Sequence, residues 1–321
     1  MTNQSPLLDT DFQFPNQQSV YHGKVRDMYD LNDKLLMIAT DRYSSFDRPL
    51  TPIAGRGELL TAICKWWFEQ TEHIVKNHII SFPDPNVAIC KKHQMIGIEM
   101  VVRGYITGVT QTSLWQTYSG GQRDYGTFTL PEGLKKNNKL PQPVLTPTTK
   151  FEKNDRNLTP AEAVSEGLVS QEIWDKLQEV AVELFEFGQK AAAEKGLILV
   201  DTKYEFGLNQ DGELVLCDEI HTPDSSRYWL AETYRAKLDA GEEPDNYDRE
   251  YLRLWYAARF NPYQDSEAPV PPQTEIDELL RRYTFIYEQL SGQTFTPNGD
   301  ADILQRIETN VLTALKNVEE K

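Results

Sequence analysis

The sequence predicts an α+β fold, and three observations predict it. Short alternating apolar runs separated by turns fill residues 19–103; a mixed stretch over 104–268 sets a long amphipathic helix against a β-hairpin; and two amphipathic helical segments follow a proline cluster over 269–321. This gives a polar N-terminal segment (1–18), expected to be loosely ordered, a sheet-rich front lobe (19–103), a mixed central lobe (104–268), and C-terminal helices (269–321) packed on the core.

In the front lobe, the runs 35–39 and 98–102 alternate with turns at Asn32-Asp33 and 83–86. A helix over 58–71 interrupts them, with Leu59, Leu60, Ile63, Trp66 and Trp67 on one face. Residues 120–160 are rich in Gly, Pro, Asn and Lys, and so long a loop points to function. A helix starts where Thr159 caps, Pro160 takes the first helical position and Glu162 completes a capping box. A longer helix over 171–195 turns Ile173, Leu177, Val180 and Leu184 inward and stops at Gly196. After the hairpin at 197–220, helices are expected near 228–238 and 249–258. Pro269, Pro271 and Pro272 form a linker, and helices near 275–290 and 300–317 close the chain.

The bulk numbers exclude several classes. The chain has 321 residues, 39% of them hydrophobic, which suffices for a substantial core. A net charge of −16 disfavours nucleic acid and anionic membranes as partners. Any anionic substrate must therefore meet a local cluster of Lys and Arg. Cys64, Cys90 and Cys217 form no C-x-x-C pair and are odd in number, so neither a disulfide framework nor a zinc site is indicated. The N-terminal residues lack a signal-peptide pattern, and no apolar run reaches the ~20 residues of a membrane span. A cytoplasmic protein is expected.

The most informative stretch is LILVDTKYEFGLNQDGELVLCDEI (197–220). Read as a two-residue turn, Asp211-Gly212 sets Gln210 opposite Glu213 and hence Glu205 opposite Asp218. Asp201, Lys203 and Glu205 then share one face, while Ile198, Val200, Tyr204, Phe206 and Val215 form a core face. Two carboxylates directly opposed across a sheet repel, and a divalent cation such as Mg²⁺ between them would remove that cost. Lys203 could hold a phosphate as a point charge. The same face also reads as a solvated surface with a Lys–Glu pair.

The next segment, DEIHTPDSSRYW (218–229), offers Asp224, Ser225 or Ser226 as a helix cap beside Arg227, which would make an anion cradle or a plain cap. In HGKVRDMYDL (22–31), Lys24 and Arg26 fall two apart on one strand face and could reach a polyphosphate, or line an edge strand. ATDRYSSFDRPL (39–50) carries Asp47 in a polar loop. EMVVRGYITG (99–108) ends an apolar strand at Arg103, which could clamp a carboxylate or phosphate or form a surface ion pair. KLPQPVLTPTTK (139–150) is a proline-rich extended segment ending at Lys150, a lid edge or a spacer.

Taken together and in this order, GKVRDMYD, DRYSSFD, VVRGYITG, LTPTTK, LILVDTKYEFG and DEIHTPDSSRYW resemble the SAICAR synthetase (phosphoribosylaminoimidazole-succinocarboxamide synthase) family over about residues 21–259, in its longer form with a helical C-terminal extension. The resemblance implies an ATP-grasp-like fold whose front lobe is related to protein kinases, with ATP between that lobe and the central one. It implies ATP- and Mg²⁺-dependent joining of L-aspartate to the carboxylate of carboxyaminoimidazole ribotide, giving SAICAR, ADP and phosphate through an acyl phosphate. It assigns Lys24, Arg26 and Lys150 to ATP, and Glu205 and Asp218 to Mg²⁺. Lys203 falls beside the phosphate and the reacting carboxylate, and catalysis rests on Lys203, Glu205 and Asp218. Asp47, Arg103, Asp224, Ser226 and Arg227 are assigned to the ribotide. Two positions depart from the family pattern. Gly108-Val109 stands where many members read Gly-Ser, so a phosphate-binding hydroxyl is expected from Thr110 or Thr112; Asn154-Asp155 stands where many carry His-Asp. Only small molecules are implied as partners, with a monomer or small homo-oligomer as the assembly. A small-molecule kinase on a related fold would share the metal pair without needing the DSSR cluster. A non-catalytic nucleotide sensor would be expected to have lost Glu205 or Lys203, and a scaffold has no use for the hairpin's polar face.

Overall fold

The computed structural model describes residues 5–110, 113–152, 156–299 and 302–319. The chain forms two compact units, one built from Met1–Trp66, His78–Lys92 and Arg249–Lys321, the other from Trp67–Asn77 and His93–Asp248. Among the described residues, no helix is long and apolar enough to cross a membrane.

The first unit opens with β1 (Ser19–His22), β2 (Arg26–Asp30) and β3 (Lys34–Ala39). A small hairpin of β4 (Arg42–Ser45) and β5 (Arg48–Pro52) follows, then α1 (Arg56–Thr71), whose residues from Trp67 on belong to the second unit, and β6 (Ile79–Asp84) and β7 (Val87–Lys91). Its main sheet is antiparallel throughout, in the order β1-β2-β3-β7-β6. Leu59, Leu60, Ile63 and Trp67 of α1 are buried, as their spacing predicts, while Trp66, expected on the same face, is half-buried.

The described part of the N-terminal segment, residues 5–18, is packed rather than loose. Leu7, Phe12 and Phe14 are buried in the same apolar cluster as Tyr29, Leu36 and Ile38. Buried carboxylates anchor the backbone between them. The Leu7 N–H donates to Asp41 at 2.9 Å, and the Thr10 N–H and hydroxyl donate to Asp27. Three apolar side chains among polar neighbours suffice to hold an extended strap when its backbone donors find acceptors.

The second unit is built on the 12-residue strands β8 (Gln94–Tyr105) and β11 (Leu197–Leu208). Between them come α2 (Leu114–Ser119), β9 (Lys139–Leu145), β10 (Thr148–Thr149), α3 (Pro160–Ser165) and α4 (Gln171–Ala193). After β11 follow β12 (Leu214–Cys217), β13 (Ser226–Leu230) and α5 (Ala231–Ala240). β8 pairs with β11 along its length, β9 and β10 pair with β8, and β12 and β13 divide β11 between them. All these pairs are antiparallel. The proline-rich segment 139–150 thus becomes two short edge strands, where missing N–H groups do little harm. The capping box at Thr159 forms as its sequence predicts, and α4 buries Leu177 and Leu184.

Two boundaries differ from expectation. The front lobe was expected to run to residue 103, but β8 hydrogen-bonds to β11 and belongs to the second unit. Residues 226–230 form a strand, not the start of a helix. The first half of β11 needs an antiparallel partner, and Ser226–Leu230 supplies it; α5 begins only at Ala231, where Leu230 makes no side-chain cap. The expected helix-start anion cradle at 224–228 is therefore absent.

The chain returns to the first unit with α6 (Glu250–Ala257), α7 (Gln273–Ser291) and α8 (Ile303–Glu319). Ile307, Val311 and Leu315 of α8 join Leu36, Ile38, Val87 and Ile89 in one apolar cluster.

Candidate active site

Strand β11 carries the charged residues. Asp201, Lys203 and Glu205 alternate along it and share one face, while Thr202, Tyr204 and Phe206 are buried on the other. At the Glu205 end, Lys203 Nζ donates to Glu205 Oε1 and to Glu99 Oε1, each at 2.8 Å. Lys150, just past β10, pairs with Glu205 as well and lies 3.8 Å from Glu99. Glu99 on β8 stands directly opposite Glu205 in the sheet register.

The register of the hairpin corrects the expectation for Asp218. Glu205 pairs with Cys217, one residue short of the predicted partner. The turn is the cause. Asn209 and Glu213 close the hairpin around three residues, with Gly212 N–H donating to Asn209 carbonyl at 3.0 Å and Gly212 at φ +76°. That is a turn followed by a left-handed glycine, the three-residue hairpin form. Asn209 Oδ1 accepts from the N–H groups of Asp211 and Glu213, which favours it over the two-residue form. Asp218 therefore lies beyond the end of β12, at φ +63°. It still lies close enough to Lys203 to favour the charged ammonium. The like-charge repulsion expected of a 205–218 pair falls instead on Glu205 and Glu99, where two ammonium groups relieve it.

At the other end of the same face, Asp201 Oδ2 accepts from Arg227 Nη1 at 2.6 Å, with Arg103 Nη1 at 3.6 Å. Arg103 Nε donates to Thr146 Oγ1 at 2.7 Å. Thr146 also lines a cavity of about 290 Å³ with Thr117, Asp124, Tyr125 and Asn157. Ser226 is buried, its hydroxyl 2.7 Å from that of Thr202; Asp224 is buried in the turn before it.

The two ends differ in charge balance. Glu99, Glu205 and Asp218 outnumber Lys150 and Lys203, so this end is net negative. Arg103 and Arg227 outnumber Asp201, so the other end is net positive. The ends are four residues apart on β11, about 13 Å. Burial raises the Glu205 carboxyl, but Lys203 and Lys150 overcome it and hold the group down at about 2. Burial opposes charge on Lys203, and Glu205, Glu99 and Asp218 more than restore it, leaving its pKa raised. Glu99 goes the other way: burial and the Glu205 charge outweigh its lysine contacts, so its pKa is raised. Burial lowers that of Arg103. Burial, with the Asp218 and Glu205 charges, pushes the Cys217 thiol up to about 12, so it stays neutral.

This asymmetry carries a test. Glu99 holds its proton more tightly folded than unfolded, so ionising it costs stability. That cost is absent below the unfolded carboxyl range near 4.5 and is complete above the folded value. Glu99→Gln is expected to raise the melting temperature at pH 7–8, with the gain shrinking towards pH 4. Calorimetry across that range checks it; a pH-independent loss of stability would contradict the charge assignment.

The first unit holds Lys24, Arg26 and Asp47. Lys24 and Arg26 do not share a strand face. Gly23 N–H donates to the Arg26 carbonyl at 2.8 Å, which puts Lys24 at the tip of the β1–β2 hairpin and Arg26 at the start of β2. Lys24 pairs with Asp47 at 2.7 Å, both exposed. Phe46 and Asp47 have φ of +52° and +59°, the two-residue turn that joins β4 to β5. The Thr110 carbonyl accepts from the N–H and hydroxyl of Ser113; Thr112 and Asn154-Asp155 lie outside the described residues. Sequence reasoning missed Glu99. Its signal was its place four residues before Arg103, on the same strand face.

The model of the SAICAR synthetase family matches residues 19–270. The chain is 52% identical over 289 residues to the phosphoribosylaminoimidazole-succinocarboxamide synthase of Legionella pneumophila (strain Paris), covering 90% of this chain and 92% of that protein. A solved SAICAR synthase from Saccharomyces cerevisiae, complexed with SAICAR, superposes with a TM-score of 0.76 at 32% identity, covering 89% of this chain and 99% of that one. A SAICAR synthetase in complex with ADP superposes with a TM-score of 0.66 at 28% identity, over 87% of this chain and all of that one. With a family match over most of its length and relatives this similar across nearly all of it, the chain belongs to the SAICAR synthetase family.

Proposed function

We infer that the chain joins L-aspartate to the carboxylate of carboxyaminoimidazole ribotide at the expense of ATP, giving SAICAR, ADP and phosphate, and that the charged face of β11 is where it does so. One observation carries the placement: a net-negative end and a net-positive end share one face, about 13 Å apart. The ribotide has a phosphate at one end and a carboxylate at the other. Arg103 and Arg227 suit the phosphate, bidentately or as a fork. The carboxylate then lies towards Lys203 and Glu205, where phosphoryl transfer takes place. The related proteins solved with SAICAR and with ADP support both halves of this reading.

The donor set fits Mg²⁺. Glu205 is held ionised by its lysines, and Asp218 lies close enough to Lys203 to share its field. Among the described residues, no group of three acidic, His or Cys side chains stands ready to hold an ion. Two carboxylates completed by nucleotide oxygens and water are what Mg²⁺ takes in nucleotide sites. When bound there it would neutralise phosphate charge.

The chain's own residues do the rest. The substrate carboxylate attacks the γ-phosphorus, ADP leaves, and an acyl phosphate forms. The aspartate amine then attacks the acyl carbon, loses a proton, and displaces phosphate. Lys203 and Lys150 supply positive charge to the moving phosphoryl oxygens. Lys24 and Arg26 are assigned to the ATP phosphates, and Asp47, Asp224 and Ser226 to the ribotide. An ATP-grasp-like reading, with the first unit as a kinase-like lobe, draws support from its all-antiparallel sheet and its glycine-lysine hairpin tip.

The test is a coupled assay of ADP release with ATP, Mg²⁺, L-aspartate and the ribotide, omitting each in turn. Turnover is expected only with all four. ADP release at an undiminished rate without L-aspartate would favour a small-molecule kinase instead.

A further inference from the structure

Three residues past Asp218 lies a histidine that the chemistry above does not use. His221 is fully buried with φ +49°, the second left-handed non-glycine residue in this turn after Asp218. Its ring is gripped on several sides. Nε2 lies 2.5 Å from the Tyr204 hydroxyl, and Trp67 meets the ring edge-on at 4.5 Å between centroids. On α4, a Cβ built at Gly188 would stand 2.4 Å from His221 Cε1, so only glycine leaves room for the ring. The Tyr228 hydroxyl donates to the His221 carbonyl at 2.7 Å. Nδ1 has no hydrogen-bond partner among the described residues, and burial lowers the ring's pKa to about 3, so the imidazole is neutral. A buried, half-satisfied and conformationally strained side chain is costly, and such residues persist where the surroundings over-determine them.

Tyr204 is the link to the site. It projects from the core face of β11, between Lys203 and Glu205, which project from the other. The His221–Tyr204 bond therefore ties the turn carrying Asp218 to the strand carrying Glu205. Hydroxyl of Thr222 to carboxylate of Glu219 braces the same turn from within. We propose that His221 is a positioning residue, which fixes Asp218 relative to Glu205 through Tyr204 and so sets the affinity of the pair for Mg²⁺. This rests on Glu205 and Asp218 being the Mg²⁺ ligands.

The readout is calorimetric binding of ADP across a Mg²⁺ series, with CD melting to confirm folding. Partners behind metal ligands are worth about 10- to 100-fold in affinity or activity. His221→Leu and Gly188→Ala are expected to raise the Mg²⁺ requirement for ADP binding by about that factor, with the KM for L-aspartate unchanged. His221→Gln, whose amide can still meet the Tyr204 hydroxyl, is expected to recover most of the loss. Should His221→Leu not fold, Tyr204→Phe deletes the bond while keeping both rings, and is read the same way. Folded variants with the parent Mg²⁺ dependence overturn the proposal. Glu205→Gln and Asp218→Asn run alongside. If they too keep the parent dependence, the metal pair itself is wrong; if they lose it and the His221 set does not, only the positioning role fails.

Discussion

Glu205→Gln is expected to leave a folded protein whose turnover is lower by about 10²–10³-fold, the scale of losing one preorganised charge in a catalytic site. The substitution keeps shape and removes one negative charge from a group whose balance decides what it can bind. In the parent, Glu205 takes a hydrogen bond from Lys203 at 2.8 Å and pairs with Lys150, and these hold it ionised down to about pH 2. A neutral amide cannot draw a divalent ion, and it leaves Lys150 and Lys203 leaning on Glu99, whose own carboxyl is already raised by burial. The fold survives because both lysines remain part-exposed and water can cover the shortfall. Asp218→Asn should give a similar loss, and on the proposed metal assignment, in which both hold one ion, the double variant should cost less than the product of the two. Steady-state kinetics at saturating ATP and Mg²⁺ decide it. Near-parent turnover in both single variants would sink the metal assignment.

How much of this site could be read from the sequence depended on which interactions are local. Period-two alternation is local, so the shared face of Asp201, Lys203 and Glu205 was legible, as was the Tyr204 and Phe206 core face. The capping box at Thr159 was legible for the same reason. Register was not, because NQDGE supports both a two-residue turn at Asp211-Gly212 and a three-residue loop ending at Gly212. The choice falls to Asn209, whose side chain accepts two backbone N–H groups and hydrogen-bonds Glu213. One residue of slip moved the partner of Glu205 from Asp218 to Cys217. Glu99 was invisible because its importance comes from β8 lying beside β11, a pairing across more than a hundred residues. The helix expected from about residue 228 starts only at Ala231 for the same cause: Ser226–Leu230 is a strand whose partner is β11, and no local pattern names it. The N-terminal strap was misread because its order depends on Asp27 and Asp41, buried acceptors supplied from elsewhere in the unit.

The C-terminal helices, whose purpose no motif reveals, are the place for the largest stability effect. Arg306→Leu is expected to destabilise the first unit by about 3–5 kcal/mol, the usual cost of stripping one partner from a buried charge group. Arg306 on α8 is 8% exposed and Glu58 4%, while Asp84 is fully buried. The guanidinium donates to Glu58 at 2.9 Å, to both Asp84 oxygens at 3.0 and 3.3 Å, and to Asn86 at 2.5 Å. Asn310 donates to Asp84 at 2.8 Å from the next turn of the helix. Leucine would fill the stem's volume but leave two carboxylates without their shared cation. Lysine would keep the charge and lose the fork, so Arg306→Lys should fall between the two. The triple variant Arg306→Leu, Glu58→Gln, Asp84→Asn should recover part of the loss, because it removes the buried charges along with their partner. Two units give no guarantee of a single transition, so the quantity to follow is the urea midpoint of the transition that Arg306→Leu shifts, using intrinsic tryptophan fluorescence and far-UV CD together. If Arg306→Leu leaves that midpoint in place, the helix is an appendage. If the midpoint falls and the triple variant brings it back, α8 is part of the first unit's core, held by charge as well as by Ile307, Val311 and Leu315.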